Sequence, residues 1–101
     1  MFKAMIMLTR RDDLTREQFA QWWLQEHAPM ARDLPSIRRI VFNVVEQNLD
    51  APCDGVTELW FNSRVDFDAA YATEIGEKVV ADSLAHMSSR VQLFVDEQSV
   101  A

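Results

Sequence analysis

The sequence predicts an α+β fold in which two helices cover one face of a four-stranded antiparallel sheet. The element order is β-α-β-β-α-β, the ferredoxin-like arrangement. Three observations predict it. Four segments have the short apolar runs of strands, two longer ones have helical periodicity, and turn-forming residues separate them in that order. The 101 residues contain no repeat, linker or low-complexity stretch, so one domain spanning 1–101 is expected.

The first strand is "MFKAMIMLTR", with Phe2, Ala4, Ile6 and Leu8 on one side and Met5 and Met7 on the other. The charged run from Arg10 to Asp13 ends it as a solvated turn. Thr15 and Gln18 have capping-box spacing, so a helix opens there. Phe19, Trp23 and Met30 share its apolar face. At ~100° per residue, Trp22 lies ~60° to one side of Phe19 and His27 ~80° to the other. One of the two adjacent tryptophans is therefore expected at the core centre and the other at its margin. Pro29 disfavours helical geometry at Ala28, which predicts a kink or break near 27–29, and Pro35 ends the helix after Leu34.

The second strand is "SIRRIVFNVVEQ", with Ile37, Val41 and Val45 on one side and Ile40, Phe42 and Val44 on the other. The loop "NLDAPCDG" makes an antiparallel connection to the third strand, "VTELWFN". The segment "SRVDFDAAYATEIGEKVVADSLAHM" is helical, with an interruption expected at Gly76. The last strand is "SRVQLFVDEQ", in which Val91, Leu93 and Val95 alternate with polar residues except for Phe94. The first three strands carry large apolar residues on both faces, yet the helices cover only one. A sheet with one face in water alternates apolar and polar residues. The uncovered face is therefore expected to join a second copy in a homodimer.

Composition narrows the function. A formal net charge of -6 disfavours nucleic acid, and the pairs Arg10-Arg11 and Arg38-Arg39 are too short to outweigh it. Cys53 is the single cysteine, which precludes an internal disulfide and leaves no thiolate zinc cluster. With two histidines, two glycines and no phosphate-loop or nucleophile-elbow motif, neither a metal nor another cofactor is expected. No run of about 18 apolar residues and no basic leader into one is present, so a cytoplasmic protein without a membrane partner is expected.

His27 is the candidate acid–base residue, because imidazole titrates near neutrality and stands here at the margin of an apolar face. Stabilising the helix end is its alternative role. Trp22, Trp23 and Trp60 are candidates to enclose a flat apolar ligand, although core packing is the commoner role at such spacing. Met5 and Met7 suit a pocket or interface, with packing favoured. Arg39 and Asn43 share one strand face, and Glu58 and Asn62 share another. Arg39 could hold a substrate carboxylate or phenolate, Asn43 could polarise a carbonyl, and Glu58 could orient His27 or pair with Arg39. A cross-strand ion pair is the alternative. Cys53, in an exposed-looking loop, and His86 carry no expected chemical role.

The elements "F..WW...HAP.A..LP", "DG..ELWF" and the closing "FVDE" resemble the ethyl-tert-butyl-ether degradation (EthD-like) family of dimeric α+β barrel proteins. The likeness covers nearly the whole chain, and the first two elements together are specific. It implies a two-subunit barrel whose protomers each keep a pocket between helices and sheet. It also implies a cofactor-independent isomerase, or a dehydratase or cyclase, acting on a small hydrophobic aromatic or lactone compound. The alternative within the family is a catabolic accessory protein that binds without catalysis. The histidine of "HAP" is His27. Three positions depart from the family pattern: Ser36 replaces a glycine after "LP", Ile40 replaces a tyrosine, and His86 replaces an aromatic residue.

Overall fold

The computed structural model describes residues 1–46 and 50–101. Strands β1 (Phe2–Arg10), β2 (Arg39–Val44), β3 (Gly55–Phe61) and β4 (Met87–Val95) form one sheet in the order β2-β3-β1-β4. Every neighbouring pair is antiparallel. Helix α1 (Arg16–Trp22), a π-helical turn (Trp23–His27) and α2 (Ala28–Arg32) connect β1 to β2. Helices α3 (Arg64–Tyr71) and α4 (Glu74–His86) connect β3 to β4. The architecture is the ferredoxin-like α+β fold read from the sequence. Positions 47–49, which belong to the expected second strand and its loop, lie outside the described residues.

Strand parity fixes the core. Ala4, Ile6 and Leu8 of β1 and Leu59 and Phe61 of β3 are buried with Phe19, Trp22, Trp23, Phe67 and Val79 from the helices. The opposite face carries Met5 and Met7 beside Val56, Val91 and Leu93. Val91 and Leu93 stay 44% and 45% exposed.

The predicted capping box opens α1: Thr15 Oγ1 accepts from Gln18 N–H at 3.1 Å, and Gln18 Oε1 accepts from Thr15 N–H at 2.8 Å. The kink or break expected near 27–29 takes the form of a π-helical irregularity just upstream, and the chain stays helical through Pro29. Ala28 is right-handed helical despite preceding Pro29, and its N–H reaches back five residues to the Trp23 carbonyl. Proline lacks an N–H and crowds the carbonyl four residues before it, and the wide turn immediately upstream relieves that crowding. Of the two tryptophans, Trp23 is fully buried at the core centre, and Trp22, 5% exposed, is buried too but also lines an outer cleft.

The second helical segment breaks earlier than Gly76. The chain turns at Ala72 and Thr73, and Thr73 Oγ1 caps α4 by accepting from Gly76 N–H at 3.1 Å. A Cβ on Gly76 would lie 2.4 Å from the Ala70 carbonyl oxygen, so glycine serves close packing at this corner. Cys53, expected in an exposed loop, is buried, with 8% of its surface exposed.

The turn into β2 contains Ser36 at φ 64° after Pro35, the pattern of a type II turn, which favours glycine at that position. The left-handed region costs an L-residue roughly 1–2 kcal/mol, part of which glycine returns through its freer unfolded chain. Ser36→Gly is therefore expected to stabilise the fold by about 0.5–1 kcal/mol, raising Tm by about 2–8 °C. Thermal melts followed by circular dichroism check this; an unchanged or lower Tm would contradict the strain.

Candidate functional site

His27 ends the π turn and is 4% exposed beneath α4. Its Nδ1 lies 2.8 Å from Asp82 Oδ2, which also accepts from Trp22 Nε1–H at 3.1 Å. A carboxylate accepts, so Nδ1 carries the imidazole proton and Nε2 presents a lone pair. Ser83 Oγ stands 3.4 Å from that nitrogen. Burial holds the His27 pKa below the ordinary 6.5, outweighing the attraction of Asp82, while His86 and Arg90 push it the same way. The ring is therefore a neutral base at neutral pH.

His27, Thr57, Tyr71, Ser83 and Arg90 contribute the polar lining of a small cavity between helices and sheet. Apolar side chains including Ile6, Leu59 and Phe42 close it, leaving ≈ 20 Å³ for the centre of a water molecule. That is room for about one water. Tyr71 is pushed up to about 12 by burial, against the opposing charge of Arg90, so its hydroxyl remains a donor. Phe42 also lines an apolar recess with Leu24, Ala28, Arg32 and Ile40. Its ring stacks on Trp23 at 4.4 Å and faces His27 at 6.1 Å, dividing recess from cavity. Among the described residues, no three of His, Cys, Asp or Glu come together as metal ligands.

Of the other residues singled out in the sequence, Trp22 lies 5.0 Å from the His27 ring and shares its Asp82 partner, whereas the rest do not gather there. Trp23 backs Phe42, while Trp22 lines an outer cleft, where it stacks on His86 at 4.2 Å. Arg39, Asn43 and Trp60 occupy the opposite sheet face, because their strand positions have the parity of Met5 and Met7. There Arg39 lies 4.7 Å over the Trp60 ring, and Asn43 Nδ2 donates to Glu58 Oε2 at 3.1 Å. The expected pairing of Glu58 with His27 or Arg39 gives way to an ion pair with Lys3 at 3.0 Å. Asn62 lies beyond β3 and is exposed. Asp82, Ser83, Tyr71, Thr57 and Arg90 went unrecognised in the sequence. The readable signal was parity: Thr57 and Arg90 share the sheet face of Leu59 and Leu8.

The family model for the EthD domain matches residues 11–90. This chain belongs to the EthD family. An EthD family protein from Bacillus halodurans C-125 superposes with a TM-score of 0.83 at 16% identity, covering 97% of this chain and all of that one. A dimeric ferredoxin-like protein of unknown function from Thermobifida fusca YX gives a TM-score of 0.77 at 13% identity, covering 93% and 88%. A putative antibiotic biosynthesis monooxygenase from Nitrosomonas europaea gives 0.67 at 18% identity, covering 98% and 100%. None of the curated proteins matches the chain.

Two of the motifs that carry the EthD likeness have structural work here. A Cβ on Gly55 would lie 2.7 Å from two ring atoms of Trp23, so the glycine of "DG" seats the second tryptophan of "WW". Asp54 accepts from Arg10 N–H at 2.9 Å and joins that strand end to β3. Of the motif residues, His27 faces the cavity with its ring, and Ala31 and Leu59 add apolar lining.

The His27 environment gives stability a pH dependence of definite sign. The unfolded ring has the ordinary pKa and the folded ring a lower one, so between them the unfolded chain binds the extra proton. This contribution is complete above about pH 6.5 and is lost as pH falls through the folded value, at no more than about 1.4 kcal/mol per unit. Melts of wild type and His27→Gln at pH 7.5 and 5.5 check it. Wild type is expected to lose more stability on acidification, and parallel losses would contradict a buried neutral ring.

Proposed function

We propose that this EthD chain is a cofactor-independent acid–base enzyme, of isomerase or dehydratase/cyclase type, for a small hydrophobic aromatic or lactone compound. One observation carries the reading: Asp82 fixes the proton on Nδ1 of a buried neutral His27, whose other nitrogen faces a polar cavity. Nε2 takes a proton from a substrate carbon or hydroxyl, and Asp82 faces the positive charge that forms on the ring. The same nitrogen returns the proton to a second substrate atom in isomerisation, or to a departing hydroxyl, which leaves as water, in dehydration. The Tyr71 hydroxyl donates to a substrate oxygen meanwhile. Entry of a ring-sized compound requires Phe42 to swing from its partition, since the closed cavity holds only about one water.

His27→Gln and Asp82→Asn are each expected to lower kcat/KM by about 10²–10⁴-fold. The assay is solvent-deuterium exchange into a panel of small lactones and phenolic ketones, followed by NMR. The tightness of the cavity beside His27 would suit a purely structural dimerisation module. The apolar recess beyond Phe42 supports a second reading, a non-catalytic protein that binds or protects a pathway intermediate. Ligand binding unaltered by His27→Gln, with no exchange in wild type, would establish that reading instead.

We also propose that the uncovered sheet face joins two copies. Its half-exposed Val91 and Leu93, with Met5 and Met7 between them and β3, support this reading. Light scattering is expected to give twice the 11.7 kDa chain mass. Leu93→Glu is expected to return the single-chain value, and a monomeric wild type at micromolar concentration would refute the association.

A further inference from the structure

Arg90 is a cation on the wrong layer of the sheet. It pairs with Leu8 across β1 and β4 and therefore belongs to the face under the helices, where apolar side chains pack. There it lines the His27 cavity. No carboxylate among the described residues forms an ion pair with its guanidinium, although most of this chain's other arginines do so. Its Nε is buried without a hydrogen-bond partner. Its Nη2 makes one long contact, 3.5 Å from Gln92 Oε1.

A buried guanidinium donor without an acceptor is unfavourable, and proteins retain few such groups. Nε and one terminal nitrogen of arginine form a planar fork matched to the two oxygens of a carboxylate. Here one prong is open and the other weakly engaged. Of the titratable groups that line the cavity with Arg90, Tyr71 stays protonated and His27 is neutral, and the adjacent Asp82 carboxylate is engaged by His27 and Trp22.

Resting on the reading of the His27 cavity as the substrate site, we propose that Arg90 anchors a substrate carboxylate there. The substrate class narrows to carboxylate-bearing aromatic or lactone compounds, with the proton moved by His27 on the part held away from the acid group. The role foreseen for Arg39 falls to a residue on the other side of the sheet. Arg90 touches the substrate's acid group and so determines specificity, whereas Asp82 positions the base.

Benzoate and its uncharged methyl ester test the anchor, since the shared ring can occupy the recess beyond Phe42. Titrations of the purified protein would follow the His27 ring signals and the Arg90 Nε–H signal by NMR. Benzoate is expected to shift both and to bind at least about ten-fold more tightly than the ester. Arg90→Gln is expected to abolish that preference while leaving ester binding unchanged, and Arg90→Lys to keep part of it. Equal binding of both probes, with His27 signals shifting, would overturn the anchor and leave the site reading standing. Shifts of His27 by neither probe would overturn both. The wild-type comparison decides the matter even if an Arg90 variant does not fold.

Discussion

The widened turn ahead of Pro29 is the constraint from which the rest of the molecule follows. A proline within a helix removes one ladder bond and presses its ring on the preceding turn. This chain keeps its helical course by closing Ala28 N–H onto Trp23, five residues back. The extra residue resets the helical phase after Trp23, and His27 at the end of the turn is buried beside Trp22. Trp23 then needs a floor without a Cβ, which Gly55 provides. Trp22 and His27 converge on one oxygen of Asp82. Core, strand contact and candidate base thus share one local distortion.

Apolar packing outweighs hydrogen bonding at the centre of this arrangement. The Trp23 indole N–H has no partner, although the residue is fully buried. An unsatisfied buried donor costs about 1–3 kcal/mol. Stacking on Phe42 at 4.4 Å and contact with Phe19 at 5.2 Å accompany burial of a large ring, which offsets that cost. Replacing either tryptophan would therefore disturb different things: Trp23 supports the partition at Phe42, whereas Trp22 holds the carboxylate that orients His27.

Much of the fold was legible because its signals are local. Alternation placed Ala4, Ile6 and Leu8 under the helices, and the spacing of Thr15 and Gln18 marked a helix start. The same alternation foresaw a second apolar sheet face. The π turn was not legible, since a regular period assumes the hydrogen-bond register that Pro29 upsets. Gly76 drew attention as a helix breaker, yet its role is contact with α3 after Thr73 has already capped α4. The candidate site was legible only at His27. Asp82 is a lone carboxylate in the second half of α4, and nothing in its sequence surroundings marks it as a partner of His27. Arg39 and Asn43 have the right chemistry on the wrong face, and one step of strand register separates the two faces.

The sheet therefore divides two kinds of polar chemistry. On the uncovered face, Lys3 is 6% exposed but lies 3.0 Å from both Glu58 and Glu97, so its charge is locally answered. Asn43 and Trp60 complete that network by donating to Glu58 and Glu97. A charge satisfied on all sides is a packing solution. Under the helices the balance is different. His27 is kept neutral by burial, Tyr71 is kept protonated, and the Arg90 Nε has no hydrogen-bond partner among the described residues. The positive guanidinium makes protonation of His27 harder before a ligand arrives. An arriving anion would offset that field and raise the proton affinity of the same nitrogen. On the proposed reading, binding and base strength would thereby be coupled through charge.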